Sequence, residues 1–347
     1  MEKDIYTFAA ERDRNLSRVV DASAGTCALG PSKKVKAAIR KAVRDVDLYP
    51  DPNSRRLRKF FSSKFGIPED CFLFGRSVQG LLELIPSVLR PGTIRIAGPA
   101  LPLYRKAAAG YKTEVILTSD AAADKDAGPV MLKGLCVKGD LLLISNPNRM
   151  TGRMADRREL FEVLSAVAES GSYVVLDESL VEFTGDDQLY ERAGASDNII
   201  VIRTTAHFFG VPGLELAYAV SSPATILRLQ EHAPAGVNIL AATAAMTALK
   251  DKTYIKTAKK FTDDERRALF SGLRKIPGMA VCASDSNVFL LKIDGDAAKV
   301  MSGLSRAGFL IRDCSDIDGL GNGFLRLSIL SHDMNKKLLR VLKETMV

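Results

Sequence analysis

Proton transfer near neutral pH calls for a side chain that titrates there, and this 347-residue chain carries three histidines. The one whose surroundings suit chemistry is His207, within residues 199–220, IIVIRTTAHFFGVPGLELAYAV. A β-branched run, Ile199 to Ile202, passes into polar Arg203, Thr204 and Thr205. The histidine and the aromatic pair Phe208 and Phe209 follow. Gly210, Pro212 and Gly213 punctuate a turn before Leu216 to Val220 resume a strand. Two strands around a stiff, hydroxyl-rich turn hold a few side chains rigidly at a sheet edge. His207 reads there as a general base, or as a filler hydrogen-bonded to Asp177, Glu215 or the backbone. Asp177 closes the apolar run Tyr173 to Leu176, where an ionised carboxylate needs a partner. It reads equally as a functional acid or as a cap of the following turn. His232 and His332 fall on helix-like surfaces. No His/Asp/Glu grouping has metal spacing, and no nucleophile elbow or Walker loop occurs.

These residues need elements to position them. Ser32 reads as the N-cap of a basic amphipathic helix to about Arg44, with Val35, Ala38, Ile39 and Val43 on one face. Tyr49-Pro50-Asp51-Pro52 interrupts the chain before a helix over 54–65, a strand over 71–74 and a helix over 78–89 that Pro91-Gly92 ends. Strands are predicted at 93–97, 113–117, 141–145, 173–177, 199–203 and 216–220, with helices over 102–110 and 156–169. This alternation predicts a mostly parallel α/β sheet covered on both faces, with its functional edge at the strands' carboxyl ends. Beyond residue 224 the pattern becomes α+β: helices over 224–232, 238–250, 254–275, 296–307 and 332–345, with strands over 287–292 and 324–329. Residues 1–31 show little periodicity and are expected to drape over the surface. The division expected is a large α/β domain over 45–245 and a small α+β domain from 1–44 and 246–347.

Six fragments in chain order carry a resemblance: Leu48-Tyr49-Pro50-Asp51-Pro52, Ser145 to Gly152 (SNPNRMTG), Val175-Leu176-Asp177-Glu178, the 199–220 unit, Ile311-Arg312-Asp313-Cys314 and Phe324-Leu325-Arg326-Leu327-Ser328. Together they resemble the class I/II aminotransferases of pyridoxal-phosphate fold type I, in the branch of threonine-phosphate decarboxylase and histidinol-phosphate aminotransferase. The resemblance implies that fold and a homodimer with its pocket at the subunit interface. It implies pyridoxal or pyridoxamine phosphate as cofactor, with Asp177 facing the pyridine nitrogen. Ser77 and Val78 open the helix turn whose amides would take the phosphate, Thr204 would add a hydroxyl, and Tyr49 would reach the neighbouring subunit's phosphate. Arg326 stands where an arginine clamps the substrate carboxylate, and Arg312 where one meets a distal phosphate.

Against that pattern the chain departs at several places. The Schiff-base lysine position is His207, and the phosphate-neutralising arginine is Glu215. The asparagine at the ring's phenolic oxygen is Arg149, its tyrosine partner is Leu180, the stacking aromatic is Leu101, and a second phosphate hydroxyl is replaced by Ala206. A carboxylate about 4 Å from a phosphate in a partly buried pocket costs on the order of several kcal/mol. The function implied is a divergent aminotransferase-like protein without the internal aldimine, either noncatalytic or binding a small anionic metabolite on its arginines. The alternative is an aminotransferase or amino-acid phosphate decarboxylase that holds the cofactor noncovalently with His207 as base.

Composition sets the remaining bounds. Hydrophobic residues at 46% and charged residues at 26% describe an ordinary globular chain. The net charge of +8 is spread along the sequence. Its densest stretches, Lys33 to Arg44 and Arg55 to Lys59, read as solvated helix faces, so no nucleic-acid partner is expected. Five cysteines without a Cys-x-x-Cys pair argue against a zinc ribbon or disulfide framework and fit a reducing cytoplasm. The longest apolar stretch, Val237 to Leu249, is shorter than the ~20 residues of a membrane span, so no membrane association is expected.

Overall fold

The alternating apolar runs assemble into one seven-stranded sheet in the computed structural model, which describes residues 4–117, 139–185 and 189–346. Named by their ranges, the strands lie side by side in the order Phe72–Gly75, Ala217–Val220, Ile199–Thr204, Tyr173–Asp177, Leu141–Ser145, Thr93–Gly98 and Lys112–Leu117. Every pair from Ile199–Thr204 outward to Lys112–Leu117 is parallel, and Ala217–Val220 runs antiparallel to both its neighbours. The sheet is therefore mostly parallel. The Leu141–Ser145 and Ile199–Thr204 strands are buried at every position, as strands covered on both faces must be.

Helices frame the sheet, and most of them start on a side-chain oxygen. Ser32 accepts from the Val35 amide, Ser77 from Gly80, Asp156 from Glu159 and Asn238 from Ala241. These caps begin Lys33–Ala42, Val78–Leu89, Arg157–Ser170 and Ile239–Lys250. Asp251 caps the longest helix, Lys252–Leu273, through the Tyr254 amide. A second, four-stranded antiparallel sheet orders Arg312–Asp313, Phe324–Ser328, Val288–Ile293 and Met279–Val281, and Ala297–Arg306 and His332–Met346 pack on it. The short Met279–Val281 and Arg312–Asp313 strands lack the length to announce themselves in sequence.

Residues 4–30 depart from expectation. Ile5–Ala10 is a helix capped by Asp4, and Val20–Asp21 forms a parallel pair with Phe309–Leu310. Phe8, Ala22 and Cys27 are buried, so this segment is built into the molecule. Its strand partner lies nearly the whole chain away, which local periodicity cannot reveal.

Three parallel strands end side by side, placing Ser145, Asp177 and Thr204 along one edge, with Ser145 opposite Asp177 in register. Of the cysteines, Cys27, Cys71, Cys282 and Cys314 are buried and free, and Cys136 lies outside the described residues. No described helix is long and apolar enough to cross a membrane.

At the opposite flank, Phe61 sits fully buried among Phe65, Phe72, Phe74 and Tyr218, with ring centroids 4.8 to 5.8 Å away. This cluster ties the Arg55–Phe65 helix to the antiparallel edge of the sheet. Phe61→Ala should cost about 3–5 kcal/mol in urea unfolding. A loss under about 1 kcal/mol would show that the cluster collapses around the gap.

Candidate functional site

Asp177 ends its strand with no exposure to solvent. Its Oδ1 accepts from the Ser179 amide at 2.9 Å and from the Ser179 hydroxyl, closing the turn. Its Oδ2 accepts from the Tyr104 hydroxyl at 2.6 Å and from Arg149 Nη1 at 3.4 Å. Asp177 is thus both a turn cap and a buried counter-ion. Burial and the adjacent carboxylate push the Tyr104 phenol well up, so it stays a donor.

Arg149 is fixed by its backbone as well as its side chain. Its amide donates to Ser145 Oγ at 3.1 Å, and its carbonyl accepts from Arg326 Nε at 2.7 Å. Burial opposes its charge, but Asp177, Tyr104 and Glu215 outweigh that and raise its pKa further. The guanidinium then reaches His207, with Nη2 3.1 Å from the ring Nε2. Arginine has donors only, so Nε2 accepts and the ring proton resides on Nδ1. Burial, then the charges of Arg149 and Arg326, hold His207 well below the usual imidazole range. His207 is neutral, and its partner is none of the acids or backbone groups anticipated for it. Two buried donors here, His207 Nδ1 and Arg149 Nε, have no partner among the described residues.

The nearby helix start is also satisfied internally. Ser77 Oγ takes the Gly80 amide at 3.0 Å, and Glu215 Oε1 takes the Val78 amide at 3.0 Å. A carboxylate at the amino end of a twelve-residue helix suits both the unpaired amides and the helix dipole. Burial still pushes the Glu215 pKa up despite that amide and Arg149. Thr204 turns inward, donating to the Leu216 carbonyl and accepting from the Ala206 amide, both at 3.1 Å.

The remaining candidates separate from this centre to different degrees. Arg326 joins it through Arg149, while its Nη1 donates to the Ser23 carbonyl at 2.7 Å. Gly25, at a φ of 69°, fits beside it because a Cβ there would stand 3.0 Å from Arg326 Nη2. Arg312 is buried, and its Nη2 is forked on Asp316 at 2.8 and 2.9 Å. Tyr49 is 96% exposed and touches none of the site within one chain. Tyr104 and Ser179, unremarked in sequence, hold Asp177. The one signal for Tyr104 is its place three residues after Leu101, at the start of a short helix beside the strand end.

Residues 17–342 match the family model described as aminotransferase class I and II. The chain belongs to this family. Histidinol-phosphate aminotransferase 2 of Archaeoglobus fulgidus is 30% identical over 358 residues, covering 99% of both chains. Among solved structures, histidinol-phosphate aminotransferase from Sinorhizobium meliloti in complex with pyridoxal-5'-phosphate superposes with a TM-score of 0.85 at 21% identity, covering 100% of this chain and 95% of that one. L-threonine-O-3-phosphate decarboxylase from Porphyromonas gingivalis gives 0.82 at 22%, covering 94% of this chain and 99% of that one.

The chain is therefore an aminotransferase-like protein of the histidinol-phosphate aminotransferase or threonine-phosphate decarboxylase type, in a pyridoxal-phosphate-dependent family. In this aminotransferase relative, Asp177, the Val78 amide and the Thr204 hydroxyl all find partners in the chain itself.

The depressed His207 pKa has a thermodynamic consequence. The unfolded chain takes up a proton near pH ~6.5 that the folded site resists, so His207 contributes stability above that pH and loses it as pH falls. The raised Glu215 pKa acts oppositely, adding stability as pH falls. Comparing wild type with His207→Gln isolates the histidine. Between pH values of about 7.5 and 5.5, wild type should lose about 1.4 kcal/mol more than the variant in urea unfolding. Equal losses would show that His207 protonates freely in the folded state.

Proposed function

We propose that this aminotransferase-like chain no longer holds pyridoxal phosphate as a Schiff base and instead binds a small anionic metabolite around Arg149, His207 and Asp177. The observation that carries this reading is the Glu215 carboxylate on the Val78 amide. By resemblance, that helix start is where the cofactor phosphate would rest. Carboxylate and phosphate compete for the same amide and the same positive helix end, and at about 4 Å they repel by several kcal/mol. Two further features support it. The Arg149 guanidinium already faces Asp177, where a protonated pyridine nitrogen would, and a histidine has no primary amine with which to form an imine. The residues present do not fit the cofactor as the resemblance places it.

A second reading keeps the cofactor, pyridoxal or pyridoxamine phosphate held noncovalently, with His207 as base. Near-complete coverage by aminotransferase relatives and the buried Asp177 favour it. It requires Nε2 to be released from Arg149 first. A homodimer fits either reading: Val43, Val46, Leu48 and Tyr49 form a run of exposed apolar side chains in one stretch. The four buried free thiols are in keeping with a cytoplasmic setting.

Titrating the purified protein with pyridoxal and pyridoxamine phosphates, followed by visible absorbance and calorimetry and then borohydride, tests the choice. The proposal expects no saturable cofactor binding in wild type and its appearance in the His207→Lys, Glu215→Arg double variant. Saturable binding without a reducible linkage would favour the second reading. A linkage trapped on another lysine would overturn both.

A further inference from the structure

A cavity of about 550 Å³ is walled by the helices Ile5–Ala10 and Ala297–Arg306 and by residues 309–313. Its volume falls within the roughly 300–1,000 Å³ of small-molecule sites. Asp177, Arg149 and His207 do not line it, so it is separate from the centre described above. One lining residue, Ser23, borders that centre through its carbonyl, which accepts from Arg326.

The cavity has an apolar wall and a donating wall. Phe8, Leu304, Phe309 and Ile311 are buried side chains that face it, and Met301 lies beside them. On the helix Ala297–Arg306, Ser302, Ser305 and Arg306 fall on one face by their spacing. Ser305 Oγ accepts from Arg12 Nε, and Ser302 Oγ accepts from Arg306 Nη1 at 2.8 Å. Each serine turns a lone pair to an arginine and so keeps its hydroxyl proton to donate. Neither hydroxyl meets an acceptor among the described residues.

Charge at this wall is positive. Glu11 engages Arg12 Nη1 at 3.1 Å, but no carboxylate pairs with Arg306 among the described residues. Arg14 donates to the Arg306 carbonyl, and Lys337 to the Ala307 carbonyl at 3.3 Å. Four cations thus gather around the helix end, against Glu11 and, between two of them in sequence, Asp13. The other charged lining residues are already engaged: Asp316 forks Arg312 Nη2, and Asp313 accepts from the Ser315 amide at 2.9 Å. Hydroxyl and guanidinium donors beside a deep apolar wall suit one kind of occupant.

We infer that this cavity binds an amphipathic organic acid, its anionic head on Arg306, Ser302 and Ser305 and its aliphatic or aromatic body against Phe8, Leu304 and Phe309. The inference goes beyond the proposed function and holds whether or not the Asp177 centre takes a cofactor.

The test is calorimetric titration of the full-length protein with octanoate, 3-phenylpropionate and hexyl phosphate, each up to about 10 mM. Acetate and inorganic phosphate supply the head alone, and hexanol the body alone. Wild type should bind at least one amphipathic acid saturably, and the heads and the alcohol at least about tenfold more weakly. Whether octanoate or hexyl phosphate binds more tightly identifies the head as carboxylate or phosphate. Arg306→Gln, an exposed change, should lose about tenfold, and Met301→Trp, which fills the apolar side, should lose as much. His207→Gln should bind within about twofold of wild type. Absence of saturation by every amphipathic acid, hexanol or acetate binding as tightly as octanoate, or full affinity in Arg306→Gln would overturn the inference. So would loss of affinity in His207→Gln, which would move the acid to the Asp177 centre. The cofactor titration that tests the proposed function reads that centre independently, so either can fail without the other.

Discussion

The site depends on a single constraint: Asp177 is completely buried at a strand end and must be compensated there. An uncompensated buried carboxylate costs about 3–5 kcal/mol, a sizeable part of a protein's whole stability. In this chain compensation is assembled from Tyr104, Ser179 and Arg149, none of which needs a bound group. Once Asp177 is paired with a guanidinium, its counter-ion comes from the chain itself. Asp177 holds a cationic side chain, and the next contact outward is a neutral imidazole.

A comparable arrangement occurs one residue further along, where its role is structural. Glu178 and Arg203 are both buried and paired, with Glu178 Oε2 accepting from Arg203 Nε at 2.7 Å and the guanidinium lying 4.0 Å from the Tyr190 ring centroid. That pair joins two neighbouring strands beneath the site. Asp177 and Glu178 point to opposite faces, as successive strand residues do, so one face is braced by an ion pair while the other presents one. The edge that carries Asp177 is therefore supported from behind.

Much of this was legible in the sequence, for identifiable reasons. The capped amphipathic helix Val78–Leu89 and the short apolar run Leu141–Ser145 fell where local signals placed them, because those signals suffice there. The mostly parallel sheet followed from alternation. Hidden from local reading were contacts between residues far apart in the chain. Val20 pairs with Phe309, Tyr104 reaches Asp177, and Glu215 reaches Val78. Position alone made Glu215 look like a misplaced charge, and only the helix start supplies its partner. His207 was legible as a focus, but its partner is a cation where acids were anticipated. That difference carries the distinction between a base and a fixed donor.

On the proposed reading the departures from the family pattern are also mutually dependent, which bears on how such a pocket persists. Arg149 without Asp177 would be an uncompensated buried cation, and Asp177 without Arg149 would rely on hydroxyl and amide donors alone. A lysine in place of His207 would put an ammonium within reach of Arg149 and Arg326, the charges that already disfavour protonation of the imidazole. An arginine in place of Glu215 would leave the Val78 amide without its acceptor and bring another cation toward Arg149. Each reversal alone is opposed by the others, whereas together with a bound dianion they would again balance. The pocket thus has two self-consistent charge arrangements, one completed by a cofactor and one completed by its own side chains. The proposed reading assigns the hydrogen bonds in this chain to the second.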